Sequence, residues 1–217
     1  MQTRLARLDP DATFAYIVVH HAVMAGLSIA VMLAVLRPLS QWGLRMGDWR
    51  GALRSLAWFA PAVAVLAFAF DALPYLLSGT RPALSYAPTP LNVVATMAFA
   101  WLFVGVGEEL LFRGVALGLL ARAVPGRLQV GPLRVSVAGM LSALIFAVAH
   151  GVFYDRAFFL PFTFSPDWAQ LGWAFLLGTW CAALRERTGS LLGPILCHNL
   201  SNGLVLTMSY LALALAH

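Results

Sequence analysis

The chain has no lysine; all fourteen of its basic residues are arginine. Charge of either sign is scarce, at 11% of residues, against about 25% in an ordinary soluble domain. That scarcity excludes a single water-facing globule. Cysteine is nearly absent too. Cys181 and Cys197 both fall in apolar segments, and their spacing fits no zinc or redox motif. They read as small buried side chains. The arginines neither cluster on one segment nor interleave with aromatics, so the formal charge of +5 is not the footprint of a nucleic-acid partner. It suits anionic lipid headgroups instead. Internal repeats, low-complexity tracts and a soluble domain are also lacking.

What is present is apolar. Hydrophobic residues make up 61% of the chain and the mean hydropathy is +0.82. A membrane span takes about 20 mostly apolar residues. Six segments qualify: Thr13 to Leu36, Ser55 to Leu77, Leu91 to Leu120, Ser136 to Tyr154, Trp168 to Leu184 and Ser190 to Ala216. Pro61, Asp71 and Pro74 are weak points of the second. The third exceeds one bilayer crossing, so it is expected to tilt, protrude or break near Gly105 and Gly107. Ser190 is the expected N-cap of the sixth. The loop "DRAFFLPFTFSPD" is aromatic enough to dip into the interface as a re-entrant segment. The first apolar run is too long for a signal peptide's core and has no clean cleavage site, so it is expected to stay as an anchor. The seven tryptophans mostly fit interface anchoring.

The expected fold is therefore all-α: a polytopic bundle of about six transmembrane helices forming one integrated membrane domain. Arginine bias sets its orientation. The loops after spans one, three and five hold Arg37, Arg45, Arg50, Arg54, Arg122, Arg127, Arg134, Arg185 and Arg187; the other side holds Arg4, Arg7, Arg81 and Arg156. The odd loops then face the cytoplasm and both termini lie outside. Exclusive use of arginine points to a GC-rich bacterial source, hence to the bacterial inner membrane.

Against this background "GVGEELLFRG", Gly105 to Gly114, is anomalous. The chain has only three glutamates, and two of them, Glu108 and Glu109, stand side by side here. An ion at the bilayer centre costs about 2.5–3.5 kcal/mol on insertion scales, so this cluster must face protein or water. Arg113, four residues after Glu109, shares its helix face and offsets one carboxylate. The other is left for general-base work. The alternative is a purely structural ion pair. Two further motifs follow on later spans: Phe146 and His150, four apart, and His198 and Asn202, four apart. Convergence of Glu, His, His and Asn supplies what amide hydrolysis needs, a base for water and donors for an oxyanion. His20 and His21 are adjacent and point in different directions. They, and the cluster Tyr154, Asp155 and Arg156, give no comparable signal.

In that order on successive apolar helices, Glu108-Glu109-x-x-x-Arg113, Phe146-x-x-x-His150 and His198-x-x-x-Asn202 resemble the CAAX-protease and bacteriocin-processing family. These are glutamate-type intramembrane endopeptidases, also called the Abi family, related to the type II CAAX prenyl endopeptidase. The stretch "RTGSLLGPILCHNLSN" resembles the approach to the family's third motif. The resemblance covers 91–217, a catalytic core; residues 1–90 are N-terminal helices of unassigned role. It implies a polar, water-filled cavity in the bundle, with Glu108 and His150 activating water and His198 and Asn202 forming the oxyanion site. Glu109 and Arg113 would support, and Phe146 would shape the pocket. The choice of Glu108 over Glu109 as base comes from the resemblance alone. No cofactor is expected.

The expected partners are the lipid bilayer and a membrane-anchored protein or peptide substrate, cut near its C-terminus or in a membrane-proximal segment. Bacteria generally lack protein prenylation, which favours anchored tails of surface proteins or a bacteriocin-like peptide. Two alternatives remain. Glu108, His150 and His198 could bind zinc as a two-His, one-Glu site, although no HExxH is present. Or the protein is a non-catalytic immunity or transport protein, although transporters usually carry internal symmetry.

Overall fold

The structure is a computed structural model that describes residues 13–35, 42–84, 86–131, 133–154, 162–164 and 166–216. Helices dominate it. In chain order they are α1 (Thr13–Val35), α2 (Trp49–Ala67), α3 (Leu73–Ser78), α4 (Pro90–Leu102), α5 (Val104–Glu109), α6 (Leu117–Ala123), α7 (Val137–Ala149), α8 (Trp168–Thr188) and α9 (Leu192–Leu215). Two π-helical segments, Phe68–Ala72 and Leu110–Ala116, join α2 to α3 and α5 to α6.

The all-helical expectation needs one refinement. Two short antiparallel hairpins lie between helices. The first pairs β1 (Arg127–Val130) with β2 (Leu133–Ser136), in register from Arg127 with Ser136 to Val130 with Leu133. Its turn contains Gly131, whose φ of +57° is easy only without a Cβ. The second pairs β3 (Val152–Tyr154) with β4 (Phe162–Phe164). The loop expected to dip into the interface, and with it Asp155 and Arg156, lies largely outside the described residues.

Among the described residues, three helical stretches are long and apolar enough to cross a membrane: Ile17–Val35, Trp49–Ser78 and Pro90–Ala123. Their length and apolarity are those of a chain that sits in a membrane. The other three expected spans are helices, but not of that kind. α7 has 13 residues, about 20 Å at 1.5 Å per residue, against a hydrocarbon core of about 30 Å. It stops at His150, short of Tyr154. α8 and α9 are long enough, with 21 and 24 residues, but polar groups interrupt them. α8 carries Arg185, Glu186 and Arg187, and α9 carries His198, Asn199, Ser201 and Asn202. The spanning stretches show the reverse pattern. Trp58 is 80% exposed, Leu77 79% and Val65 67%, as lipid-facing side chains should be.

Of the weak points of the second span, Pro61 stays inside α2, and Pro74 comes just after the π turn. Pro74 has no N–H, and its ring would press on the carbonyl of Phe70 in a regular helix. The segment Phe68–Ala72 instead pairs Leu73 N–H with the carbonyl of Phe68, five residues back. The extra residue per turn relieves the clash. The break in the third span comes at Phe103, just before Gly105.

The chain divides into two compact units. One comprises Met1–Leu27, Leu53–Glu108 and Ile195–His217; the other comprises Ser28–Ala52 and Glu109–Pro194. In the first, α4 packs on α9. The Thr96 hydroxyl bonds the Tyr210 hydroxyl at 2.9 Å, Trp101 Nε1 donates to Thr207 Oγ1 at 3.3 Å, and the Trp101 ring covers Gly203.

In the second unit, Phe112, Phe146, Ala147 and Ala174 form one apolar cluster; Leu117, Val135, Ala182 and Ala183 form another. Trp42 departs from the expected interface role. It is buried against Gly118, with the Arg122 guanidinium 5.1 Å from its ring. Cys181 and Cys197 are buried and not disulfide-bonded. Ser190 Oγ accepts from Leu192 N–H at 3.1 Å, the capping contact expected at the start of α9.

Candidate active site

The two adjacent glutamates have opposite environments. Glu109 is fully buried and accepts from Arg113 Nη1 at 2.9 Å, with Arg113 also fully buried. The guanidinium lies 4.3 Å from the centre of the Phe146 ring and 5.9 Å from that of Phe112. Among the described residues, Arg113 Nε and Nη2 have no hydrogen-bond partner. Aromatic faces occupy that side of the cation instead, a favourable use of ring electrostatics when water is excluded. Gly178 leaves space for the head group: a Cβ there would sit 2.9 Å from Arg113 Nη2.

Phe146 and His150 belong to the same unit as this pair. His150 caps the C-terminus of α7. Its Nδ1 lies 2.8 Å from the Phe146 carbonyl, and the two rings meet edge to face at 4.5 Å. A carbonyl only accepts, so Nδ1 carries the proton. In the neutral ring Nε2 is then the basic nitrogen.

Glu108 lies in the other unit, with His198 and Asn202. Its side chain keeps 15% of its exposure and faces two imidazoles. His198 Nε2, on α9, is 3.5 Å from Oε2. His21 Nε2, on α1, is 3.2 Å from Oε1. Asn202 is half-buried one turn beyond His198. The predicted residues thus fall into two sets. Glu109, Arg113, Phe146 and His150 form one; Glu108, His198 and Asn202 stand in the other.

Two residues outside the sequence motifs belong to this neighbourhood. His21 is one. The sequence signal was weak, because successive helical side chains diverge by about 100° and nothing marked which member of the His20–His21 pair had a partner. Asn199 is the other. Its Oδ1 accepts from Gly105 N–H at 2.7 Å, satisfying one of the donors left over at the start of α5.

The glycines of "GVGEE" explain how three helices come so close. A Cβ on Gly105 would sit 2.9 Å from His198 Cβ and from Asn199 Oδ1. On Gly107 it would sit 2.9 Å from the His21 carbonyl oxygen. Both distances are below normal carbon contacts, so glycine at these positions lets α9 and α1 approach the helix that carries Glu108.

A cavity of about 380 Å³ opens beside this site, lined by Val18, His21, Ala25, Ala95, Phe99 and Val106 among others. The family resemblance implies a polar chamber. The cavity beside Gly107 is a different feature in its lining: apolar, with His21 as its polar wall. Among the described residues, no group of three His, Cys, Asp or Glu side chains is arranged to hold a metal ion.

Compared with known proteins, residues 90–204, more than half of the chain, match the family model described as type II CAAX prenyl endopeptidase Rce1-like. No curated protein and no solved structure matches the chain.

Proposed function

The chain belongs to the Rce1-like family of membrane proteases, and we propose that it is a glutamate-type intramembrane endopeptidase that uses Glu108 as its base. The observation that carries this reading is the division of labour between the two glutamates. Arg113 neutralises Glu109 in a fully buried pair, whereas Glu108 is partly accessible and faces imidazole nitrogens beside a cavity. A base must reach both water and substrate; the exposure of the Glu108 side chain, 15% against 0% for Glu109, supports that role for Glu108.

In the proposed reaction Glu108, with His150, takes a proton from a water molecule, and the oxygen attacks the scissile carbonyl carbon. Donors from His198 and Asn202 meet the negative charge that develops on the carbonyl oxygen. The proton then passes to the departing amine and the peptide bond breaks. Glu109 and Arg113 hold the helix that carries the base, and Phe146 shapes the pocket while supporting the guanidinium. The substrate is a membrane-anchored protein or peptide cut near its C-terminus or next to the membrane. The apolar cavity suits a nonpolar group flanking the cut.

The test uses purified protein in detergent and two probes: a peptide ending in an S-farnesylated CAAX sequence and a lipid-anchored peptide with a free C-terminal tail. Each is assayed with wild type and Glu108→Gln, with and without a zinc chelator. Cleavage that is lost in Glu108→Gln and indifferent to chelator supports the proposal. Loss on chelation with recovery on adding zinc replaces it with the metal reading, and cleavage that survives Glu108→Gln overturns the base assignment.

A further inference from the structure

We infer that His21 is a positioning residue for the reaction: it holds Oε1 of Glu108 and so fixes the direction in which Oε2 faces His198. The inference rests on the proposed role of Glu108 and adds a residue from the first helix, outside every motif of the catalytic core.

His21 is constrained at three points, two on its ring and one on its backbone. Nδ1 donates to the Ile17 carbonyl one turn earlier, at 2.9 Å. The edge of the ring meets Phe99 with centroids 5.0 Å apart at 88°. Its backbone lies against Gly107, where a Cβ would sit 2.9 Å from the His21 carbonyl oxygen. With Nδ1–H committed to a carbonyl, only Nε2 can meet Glu108, and it does so at 3.2 Å. A carboxylate oxygen and an imidazole nitrogen at that distance share one proton, whichever of them formally carries it. The bond therefore fixes the rotation of the carboxyl group.

Position matters here because the other oxygen faces His198 at 3.5 Å. A carboxylate gripped through one oxygen presents the second in a single direction. A free one would sweep both through the site, and misplacement by about 1 Å can cost on the order of 100-fold in rate. The location argues the same way. α1 is predominantly apolar, and a polar ring on such a helix is expensive unless it has a partner. Glu108 is that partner.

The test compares wild type, His21→Ala, His21→Gln, Glu108→Gln and the double variant His21→Ala/Glu108→Gln. Cleavage of the two probe peptides gives kcat and KM, and thermal unfolding in detergent gives Tm. His21→Ala is expected to lower kcat about 10- to 100-fold with KM within about twofold. Glutamine places an amide nitrogen near the Nε2 position, so His21→Gln is expected to recover to within about fivefold of wild type. The Tm change of the double variant should be smaller than the sum of the single changes, because both remove the same contact.

The inference is overturned by kcat within about twofold of wild type in His21→Ala, by equal losses in the alanine and glutamine variants, or by additive Tm changes. An inactive Glu108→Gln beside an unaffected His21→Ala sinks the inference alone. A Glu108→Gln that still cleaves sinks the reading of Glu108 on which it rests. If wild type cuts neither probe, the substrate reading fails and the Tm comparison alone decides the contact.

Discussion

Glu109 and Arg113 form a buried pair at 2.9 Å within one turn, while Glu108, one residue earlier, lies outside that pair. Removing the charge of one partner of a buried pair leaves the other uncompensated, at a cost of about 3–5 kcal/mol. Glu109→Gln is therefore expected to lower Tm sharply and to reduce folded yield. Glu108→Gln is expected to lower Tm by less than Glu109→Gln and to abolish cleavage. Thermal unfolding and cleavage assays on the two variants separate the roles, and a reversal of the pattern would assign the base to Glu109.

The two asparagines of "CHNLSNG" are expected to divide in the same way. Asn199 Oδ1 accepts from Gly105 N–H inside the protein. Asn199→Ala leaves that donor unsatisfied and should cost about 1–3 kcal/mol of stability. Asn202, the proposed oxyanion donor, should show a kinetic effect instead. Asn202→Ala is expected to lower kcat about 100- to 1,000-fold with little change in Tm. Equal Tm losses in both variants would count against an oxyanion role for Asn202.

Much of this arrangement was legible in the sequence, because membrane helices announce themselves by length and apolarity and an intramembrane ion pair by helical spacing. The Glu109–Arg113 bond and the contact between Phe146 and His150 follow directly from residues four apart. Pairings between distant segments were not legible. The contact between His21 and Glu108 spans 87 positions, and no local rule selects His21 over His20. The π segments were hidden for a related reason. One extra residue in a helical turn leaves the apolar pattern almost intact, so Pro74 and the glycine-rich stretch marked trouble without showing its form. Span counting is least direct where polar groups are buried by protein. α8 and α9 bury Arg185, His198 and Asn199, and composition alone cannot tell such helices from lipid-facing ones.

Gly107 provides a test of helix approach that leaves the ionisable groups untouched. A Cβ there would sit 2.9 Å from a backbone oxygen of α1, and backbone cannot move aside as a flexible side chain can. Gly107→Ala is expected to force α1 outward and cost about 1–3 kcal/mol, the usual range for overpacking. It should also loosen the His21–Glu108 contact and lower kcat in the same direction as His21→Ala. An unchanged Tm together with unchanged kcat would mean that the close approach is not needed.

The third glutamate has a different task. Glu186 Oε2 accepts from Ser136 N–H at 3.0 Å, Oε1 takes the Ser136 hydroxyl, and Arg127 Nη1 lies 3.7 Å from Oε2. Ser136 is itself the N-cap of α7, accepting from Gly139 N–H at 2.8 Å. Glu186 therefore secures a helix start from outside, where a negative charge also suits the exposed N–H groups. Glu186→Ala removes two acceptors and frees the Ser136 hydroxyl to rotate away from its cap. The expected loss is about 1–2 kcal/mol, comparable with deleting an N-cap. Since α7 ends at His150, the effect on cleavage should follow the change in stability: kcat normalised to folded protein should stay within about twofold of wild type. A fall in kcat at full stability would mean that the hold on the start of α7 sets the position of His150 at its other end.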